Sequence, residues 1–396
     1  MFSRDVGVIG GAGHVGLPLA LMFADHGVRT VIYDTNVRAL ERIARGEMPH
    51  AEAGGQEMLE RVLRGGFLEI TAEPAPLRDC EFWVMTIGTP VDEHLNPSFA
   101  AIRKALGDLR SFLRDGQVLV LRSTVYPGTS EQVQRSFDRD QLRVGVSFCP
   151  ERVAQGHSLD EFRRIPQIVS GFDDETRGRV ETLFAPFTSE FVRMQPTEAE
   201  LCKLMTNAWR YIQFATVNQF YMIATLKGLD FERILHGCRH NYPRMAGMPG
   251  PGLSAGPCLV KDTMQLAAYS QNSFVLGHSA MLINEGLPAH LIDLAKRSVD
   301  LRDKTAGILG MAFKAESDDG RDSLSYKLRK LLQMDAREVL CTDPFVADPS
   351  LVSLERVIEE SNVLFVATPH EQYRGLRIAE EKVVIDVWNC VESRRP

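Results

Sequence analysis

Three glycines between a predicted strand and a predicted helix constrain the N-terminal part of the chain more than any other feature. Residues 6–11 read VGVIGG, which predicts a short buried strand, and GAGHVG then leads into LPLALMFADHG, which predicts an apolar helix. Gly11, Gly13 and Gly16 therefore form G-x-G-x-x-G at a strand-to-helix turn, and a second strand, RTVIYD, ends in Asp34. Glycines, strands, helix and acid in this order predict a dinucleotide-binding βαβ unit.

Each residue of this unit has a physical role in holding a dinucleotide. Gly11 permits the tight turn, Gly13 lets the backbone approach a pyrophosphate, and Gly16 allows the helix to pack closely on the strand. The N–H groups and the dipole at the start of the helix favour the phosphates. Asp34 accepts hydrogen bonds from the ribose hydroxyls and repels a 2′-phosphate, so the pattern predicts NAD rather than NADP.

Strand and helix patterns then alternate along the chain. Apolar strands are predicted at 81–87, 117–124 and 143–150, with a helix at 99–113, and a further strand, helix and strand complete this region up to residue 195. Strands that are apolar on both faces and separated by helices predict a parallel sheet that is covered on both sides.

Three of the predicted strands end in polar or turn residues. These ends are Gly88-Thr89-Pro90, Ser123-Thr124 and Pro150-Glu151-Arg152. Each could form only a helix cap or a turn. Ligands of open α/β sheets bind beyond the carboxyl ends of the strands, however, and three such ends in one register predict a binding edge.

A long helix is predicted from Pro196-Thr197 to a point near Gly228, with an apolar stripe at helical spacing. Glu200, Lys203 and Asn207 share one of its faces because they are three and four residues apart. Thr197-x-x-Glu200 has the pattern of a capping box, which gives Glu200 a structural role. Lys203 and Asn207 are either functional or part of a solvated face.

The segment 249–262, PGPGLSAGPCLVKD, predicts a shaped loop because glycine and proline at this density exclude helix and strand. Cys258 near its end, followed by Lys261, suits a thiolate nucleophile, although a free cysteine often serves only as a small buried hydrophobe. Helices are predicted on either side of the loop, and the one that follows it is predicted to begin at Thr263. No strand pattern occurs up to about residue 300.

From Lys304 the pattern returns to strands and helices, which predicts a second, smaller α/β sheet. Lys314 and Arg321 lie in its first strand-to-helix loop, where a phosphate would bind, or they belong to a charged surface loop. The predicted fold is thus α/β, with two Rossmann-like doubly wound parallel-sheet domains joined by a central helical domain that contains one long helix. The predicted domains are 1–196, 197–300 and 301–396.

Charge and cysteine usage narrow the functional classes. A net charge of −7 and a pI of about 5.9 argue against nucleic acid or an anionic membrane as the main partner. Seven cysteines occur singly, without metal-ligand spacing, so they predict reduced thiols in a cytoplasm and no metal. The apolar run 6–24 contains His14 and Pro18 and is better explained by the glycine loop than by a signal peptide.

Several of these motifs together resemble the UDP-glucose/GDP-mannose dehydrogenase family over essentially the full length of the chain. The matching segments, in order, are GGAGHVGLPLA with Asp34, the Thr89-Pro90 strand end, RSTVYPGT, CPERVAQG, EAELCKLMTNAWR, GPGLSAGPCLVKD, and GMAFKAESDDGR with CTDP. The resemblance implies an N-terminal NAD domain, a central helical domain that forms a homodimer, and a C-terminal nucleotide-sugar domain. It also implies oxidation of a sugar C6 alcohol to a carboxylate with two NAD.

The resemblance also implies roles for the candidate residues. Cys258 would capture the C6 aldehyde as a thiohemiacetal, which becomes a thioester. Lys203 and Asn207 would stabilise oxyanionic intermediates. Glu151 would act in acid–base steps of thioester hydrolysis.

Thr124 and Asp262 would hold water and Lys203. The remaining implied contacts are to the cofactor and to the substrate. Cofactor contacts are implied at Gly11, Gly13, His14, Val15, Gly16, Asp34, Thr89, Pro90, Thr124, Lys261 and Arg321. Substrate contacts are implied at Glu151, Arg152, Lys203, Asn207, Arg244, Gly250, Gly252 and Lys314, with Arg244 acting across the dimer.

The identity of the sugar stays open, because this chain departs from the family pattern. Gln155 stands where UDP-glucose members often carry a second glutamate, and Pro257 stands where Ser or His is usual. Glu151-Arg152-Val153 is nearer to members that act on UDP-N-acetylhexosamines, whereas Lys261-Asp262 is nearer to UDP-glucose members. The predicted function is oxidation of one of these UDP-sugars; the alternatives are a two-electron β-hydroxyacid-type NAD dehydrogenase and a non-catalytic nucleotide-sugar sensor.

Overall fold

The computed structural model describes residues 2–89, 100–253, 256 and 258–392. The chain divides into two compact units, Met1–Met205 and Thr206–Pro396. The predicted division into three domains, at 196 and 300, stays a prediction. Within the described ranges, none of the helices combines the length and hydrophobicity needed to span a bilayer.

The first unit is built on a six-stranded parallel sheet with the order β3-β2-β1-β4-β5-β6. Its central strand β1 pairs on one side with β2, with Val8 opposite Ile32, and on the other with β4, with Val8 opposite Val84. The predicted parallel sheet is therefore confirmed. The strands are β1 Arg4–Ile9, β2 Thr30–Tyr33, β3 Leu68–Thr71, β4 Cys80–Met85, β5 Val118–Leu121 and β6 Gly145–Phe148.

Helices cover this sheet, and a two-stranded parallel sheet of β7 and β8 completes the unit. Helix α1 is buried along nearly its whole length because it is apolar on all sides. The elements are α1 Gly16–Asp25, α2 Val37–Ala44, α3 Gly55–Gly65, α4 Ala100–Leu109, α5 Thr129–Arg139, α6 Ser158–Arg164, β7 Gln167–Ser170, α7 Asp174–Phe184 and β8 Phe191–Met194.

The long helix α8, Pro196–Leu226, is confirmed at 31 residues. The capping-box interpretation of Glu200 is wrong, because its carboxylate accepts hydrogen bonds from the backbone N–H of Gly128 and of Ser130, at 2.6 and 2.8 Å. Glu200 thus caps the start of α5 instead of its own helix. Glu198 provides the local contact at the start of α8, by accepting from the N–H of Gln195 at 2.8 Å.

In the second unit, the rest of α8 is followed by three further helices and then by a four-stranded parallel sheet with the order β10-β9-β11-β12. A second, smaller α/β sheet is therefore confirmed, and the described residues between 206 and 304 contain helices but no strand. The elements are α9 Phe231–Arg239, α10 Leu259–Tyr269, α11 Val275–Ser298, β9 Thr305–Leu309, α12 Leu324–Asp335, β10 Glu338–Thr342, α13 Leu354–Glu360, β11 Val363–Val366 and β12 Val383–Asp386.

Candidate functional site

The glycine-rich turn between β1 and α1 has the close packing that its sequence predicts, with one correction. The left-handed residue is Gly10, at φ +79°, and not Gly11. A Cβ on Gly16 would lie 2.4 Å from the carbonyl oxygen of Gly10 and 2.7 Å from Cα of Gly11, so only glycine fits there. A Cβ on Gly13 would meet nothing nearer than 3.4 Å, which leaves this part of the loop open to a ligand.

Asp34 lies beside this turn at the end of β2. Its Oδ2 accepts a hydrogen bond from the N–H of Ala12 at 3.0 Å, and its Oδ1 accepts one from the N–H of Asn36 at 2.9 Å. Val15 precedes α1 without a side-chain cap, so the first N–H groups of this helix are not covered by a capping side chain. The His14 ring packs against His50, with centroids 4.3 Å apart and the ring planes tilted by 32°. An acid beside the turn and an uncapped helix start fit a dinucleotide with its pyrophosphate on α1.

The carboxyl ends of β4, β5 and β6 meet at one edge, as their sequence predicts. The hydroxyl of Thr89 donates to the carbonyl oxygen of Thr124 at 2.6 Å, and the hydroxyl of Ser123 donates to that of Ile87 at 2.6 Å. Pro90, the next predicted cofactor contact, lies outside the described residues. The edge is thus held together by side chains that cross from one strand end to the next.

Glu151, just after β6, is held by four donors. Its Oε2 accepts from Nε and Nη2 of the buried Arg122, at 2.8 and 2.6 Å, and its Oε1 accepts from the N–H groups of Arg152 and Val153, at 2.7 and 2.9 Å. A carboxylate offers about four acceptor positions, so all of them are filled. Glu151 must release one donor before it can accept a proton from water.

Arg152 has less freedom than a substrate-binding cation usually has. Its Nη2 donates to the carbonyl oxygen of Pro166, and burial lowers the pKa of the guanidinium. The backbone of Arg152 is fixed by Glu151 in addition. A guanidinium carries five N–H donors, so the bond to Pro166 fixes the head group and leaves other donors for a ligand.

In the second unit, Cys258 stands at the N-cap of α10 with an exposed side chain. The helix starts earlier than the sequence predicts, at Leu259 and not at Thr263, so Cys258 lies at the N-terminal end of a helix, where the helix dipole favours a negative charge. The N–H of Asp262, one turn along, donates to the carbonyl oxygen of Cys258 at 2.9 Å. The cysteine and the aspartate therefore belong to the same helical turn.

Asp262 links this turn to α8. Its buried carboxylate accepts at Oδ2 from Nδ2 of Asn207, at 2.5 Å, while Nζ of Lys261 lies 3.6 Å from Oδ1. Asn207 is buried as well. The structure thus brings Cys258, Asp262 and Asn207 together, whereas Lys203 lies half-buried one turn earlier on α8, in the first unit.

The loop after β9 approaches the same turn. Arg321 pairs with Asp319 of its own loop, with Nη2 2.6 Å from Oδ2. The hydrogen bond with Asp319 is the largest cause that raises the pKa of Arg321, and the charge of Cys258 adds to it. Nζ of Lys314 lies 5.9 Å from the ring centroid of Phe313. The N–H of Gly256, two residues before Cys258, donates to the carbonyl oxygen of Asp322 at 3.4 Å, so the loop that carries Arg321 adjoins the segment before Cys258.

Arg244, by contrast, is exposed and bound only locally among the contacts that the structure describes. It lies in a short 3₁₀ turn, and its Nη1 donates to the hydroxyl of Tyr242 at 3.2 Å.

The two predicted substrate-contacting glycines differ in their surroundings. Gly250 has nothing within 4 Å of a Cβ added to it, whereas Gly252 is tightly enclosed. In the described part of the chain, no three His, Cys, Asp or Glu side chains are placed to hold a metal ion.

Comparison with known proteins settles the family. Residues 4–188 match the NAD-binding domain of the UDP-glucose/GDP-mannose dehydrogenase family, residues 197–285 its central domain, and residues 307–393 its UDP-binding domain. The chain belongs to this family. NAD is accordingly the cofactor of its N-terminal unit, in agreement with the glycine turn and Asp34.

Relatives within the UDP-glucose/GDP-mannose dehydrogenase family match the chain from end to end. The UDP-N-acetyl-D-mannosamine dehydrogenase of Pyrococcus horikoshii is 28% identical, over 97% of this chain and 95% of its own. The solved structure of the P. horikoshii UDP-D-ManNAc dehydrogenase has a TM-score of 0.91 at 26% identity, and covers 99% of this chain and 97% of that one. A UDP-glucose dehydrogenase from Pyrobaculum islandicum has a TM-score of 0.90 at 25% identity, with the same coverage.

Sequence reasoning missed two residues that organise these sites. The only sequence signal for Arg122 was its position directly after the apolar run VLVL, where a cation is unusual. In the structure its side chain is buried. Asn218 gave no signal, because a single polar residue on a long helix usually faces solvent, whereas this one is fully buried.

Proposed function

We propose that this chain is an NAD-dependent nucleotide-sugar 6-dehydrogenase, which oxidises the C6 alcohol of a UDP-sugar to a carboxylate with the loss of four electrons. The observation that carries the proposal is Cys258 at the N-cap of α10, on the same helical turn as Asp262, which binds Asn207 of α8. The match of residues 307–393 to a UDP-binding domain supports the nucleotide part of the substrate.

Cys258 divides the oxidation into two steps. NAD, when bound, accepts the hydride in each of them. Between them, the Cys258 thiolate forms a C–S bond to the aldehyde carbon, and the carbonyl oxygen takes up the electron pair of the broken π bond. After the second oxidation the carbon carries a thioester; water attacks it, the C–S bond breaks, and the thiolate is regenerated. A two-electron dehydrogenase needs no such nucleophile.

Asn207 is our candidate for stabilising the oxyanion that develops at C6. One N–H of its amide is given to Asp262, which fixes the orientation of the side chain and leaves the second N–H for a substrate oxygen. Lys203, one turn earlier on α8, is proposed as the second stabilising group. Asp262 is a positioning residue in this scheme, since it acts through Asn207.

Glu151 is proposed as the base that activates water against the thioester. Because its four acceptor positions are filled, the proposal includes the release of one donor before proton transfer. Thr124 is proposed to hold this water. The proposed substrate contacts are Arg152, Arg244, Gly250, Gly252 and Lys314, and the further proposed cofactor contacts are His14, Thr89, Lys261 and Arg321.

For the sugar we propose a UDP-N-acetylhexosamine ahead of UDP-glucose. The P. horikoshii relative is named for UDP-N-acetyl-D-mannosamine, and Glu151-Arg152-Val153 with Gln155 departs from the UDP-glucose pattern. We also propose a homodimer, and a cytosolic location in view of the seven singly scattered cysteines.

The test is the stoichiometry of the reaction in wild type and in Cys258→Ala. A panel of UDP- and GDP-sugars is scored by NADH formation, and the best substrate should give two NADH per uronate without free aldehyde. Cys258→Ala should lose overall turnover by several orders of magnitude and still bind NAD and the sugar nucleotide. The half-buried Cys238→Ala is the matched control and should keep full activity.

Three outcomes overturn the proposal. One NADH per product, or substantial activity in Cys258→Ala, identifies a two-electron dehydrogenase. Binding of a UDP-sugar without NADH formation from any member of the panel identifies a non-catalytic sensor.

A further inference from the structure

The loop that leads to Cys258 is held at its start by one buried side chain. Asn218 of α8 accepts at Oδ1 from the N–H of Gly252, at 2.8 Å, and donates from Nδ2 to the carbonyl oxygen of Gly252, at 3.1 Å. Its amide thus pairs with both backbone groups of one residue, as one β-strand residue pairs with another. The side chain of Asn218 is fully buried, so these backbone groups have no ready replacement from solvent.

Asn218 is itself fixed by a second asparagine. Its Nδ2 also donates to Oδ1 of Asn284 on α11, at 2.9 Å, and Nδ2 of Asn284 donates to the carbonyl oxygen of Tyr211 at 3.2 Å. Asn284 is fully buried as well. The chain of amides therefore fixes the orientation of the Asn218 head group, because flipping it would place like atoms against each other at each step.

An aromatic ring also packs against Gly252. A Cβ on Gly252 would lie 2.1 Å from Cη2 of Trp388, so the indole packs directly on the backbone. The indole is fixed in turn, because its Nε1 donates to the carbonyl oxygen of Ala367 at 3.0 Å. Gly252 is thus enclosed by an amide and a ring, and a side chain at this position would displace one of them.

We propose that Asn218 is a positioning residue, which places the loop carrying Cys258 by binding both backbone groups of Gly252. Five residues, 253–257, separate Gly252 from Cys258 in the sequence, too few for the thiol to keep its place if the start of the loop moves. The catalytic part of this inference rests on the proposed function of Cys258. The structural part, that Asn218 holds the backbone of the loop start, is independent of it.

The experiment measures amide hydrogen exchange and steady-state kinetics of Asn218→Ala. Exchange is followed by mass spectrometry without cofactor or substrate, in peptides that span Gly252 and Leu253. We expect exchange there to be at least 10-fold faster, with α10 and α11 unchanged, and kcat to fall at least 10-fold while KM for NAD is unchanged. A general loss of stability would instead raise exchange throughout the unit.

Thr225→Val is the matched control. Thr225 lies on the same helix and also binds α11, with its Oγ1 2.9 Å from Nε2 of His290. Its other hydroxyl contacts in the described structure are to the carbonyl oxygens of Tyr221 and Met222 on its own helix, away from the loop. It should leave exchange at Gly252 and kcat unchanged. If Asn218→Ala does not fold, Asn218→Ser replaces it with the same expectation, because a serine hydroxyl is too short to pair with both backbone groups.

Unchanged exchange at Gly252 in the Asn218 variant, or an equal increase in Thr225→Val, overturns the proposal. Faster exchange at Gly252 without a change in kcat refutes the catalytic part alone. Failure of the proposed function is recognised separately, because Cys258→Ala would then keep its activity whatever exchange shows at Gly252.

Discussion

Arg122 and Glu151 form a buried pair in which both Nε and Nη2 of the guanidinium donate to the same oxygen, Oε2, at 2.8 and 2.6 Å. The cation is almost fully enclosed, and it lies over the rings of Phe162 and Phe184. Breaking such a pair leaves a buried charge without its partner. The pair therefore fixes the loop after β6 and at the same time limits what Glu151 can do as a base.

Glu151→Gln tests the base. The amide keeps the size of the side chain but cannot take a proton from water, so deacylation should stall after one round of oxidation. We expect a burst of NADH, a covalent adduct on the enzyme that mass spectrometry detects, and a steady-state rate that is lower by about 100-fold or more. Turnover at the wild-type rate would remove Glu151 from the mechanism.

Arg122→Met is the counterpart of that experiment. It frees both acceptor positions of Oε2, so the carboxylate should still serve as base, and the adduct should not accumulate. We expect lower thermal stability than wild type, because Glu151 loses its buried counter-charge. Accumulation of the same adduct as in Glu151→Gln would show that the intact ion pair, and not a released carboxylate, is what hydrolysis requires.

The sequence predicted the elements that depend on neighbouring residues and missed contacts between distant ones. The glycine turn and the long α8 were predictable because spacing and apolar pattern are local properties. The contacts of Glu151 with Arg122, of Glu200 with Gly128 and of Gly252 with Asn218 were not, since these partners lie far apart in the sequence and are brought together only by the fold. The N-cap position of Cys258 was missed for a local reason: Cys258 has no capping pattern, and α10 starts four residues before the predicted Thr263.

The preference for NAD over NADP should depend on Asp34. Its carboxylate also holds the N–H groups of Ala12 and Asn36, so Asp34→Asn, which keeps an acceptor oxygen, is the suitable variant. We expect wild type to favour NAD at least 100-fold in kcat/KM, since a carboxylate facing a phosphate costs several kcal/mol when partly desolvated. In Asp34→Asn the ratio should fall at least 10-fold. Equal kcat/KM values for NAD and NADP in wild type would contradict this role.

The exposed apolar side chains of α8 predict self-association. Trp209, Phe220 and Ile223 are 63%, 45% and 56% exposed, and the last two line an apolar groove of about 230 Å³ together with residues of α9. A helix face of this kind usually packs against a symmetric copy. Light scattering at micromolar concentration should give a dimer for wild type and a monomer for Phe220→Glu. Met334→Glu, at an exposed site on α12, should remain dimeric; a monomeric wild type would refute the prediction.

Asp343, at the end of β10, predicts a pH dependence of stability in the second unit. Its carboxylate is buried and accepts from the N–H groups of Met311, Ala312, Phe345 and Val346, at 2.6, 2.9, 2.8 and 2.9 Å. His370 adds a fifth contact, with Nε2 3.1 Å from Oδ2, and because the N–H of Glu316 donates to Nδ1 of this ring, Nε2 carries the proton.

Burial alone would raise the pKa of the Asp343 carboxyl, but the hydrogen bonds from His370 and from the backbone outweigh it and lower the pKa to about 2. A carboxyl with a lowered pKa in the folded state stabilises that state above its unfolded pKa, and this stabilisation is lost as the pH falls through the folded value. The shift corresponds to about 2 kcal/mol at neutral pH.

Asp343→Asn should therefore lower the free energy of unfolding at pH 7 by about 2 kcal/mol or more, because the amide also cannot accept all five contacts. Urea denaturation at a series of pH values should show the difference between variant and wild type narrowing from pH 4 towards pH 2. Asp348→Asn, on the partly exposed loop that follows, is the matched control and should cost far less at every pH. A difference between Asp343→Asn and wild type that stays constant down to pH 2 would mean that the charge of Asp343 does not stabilise the fold.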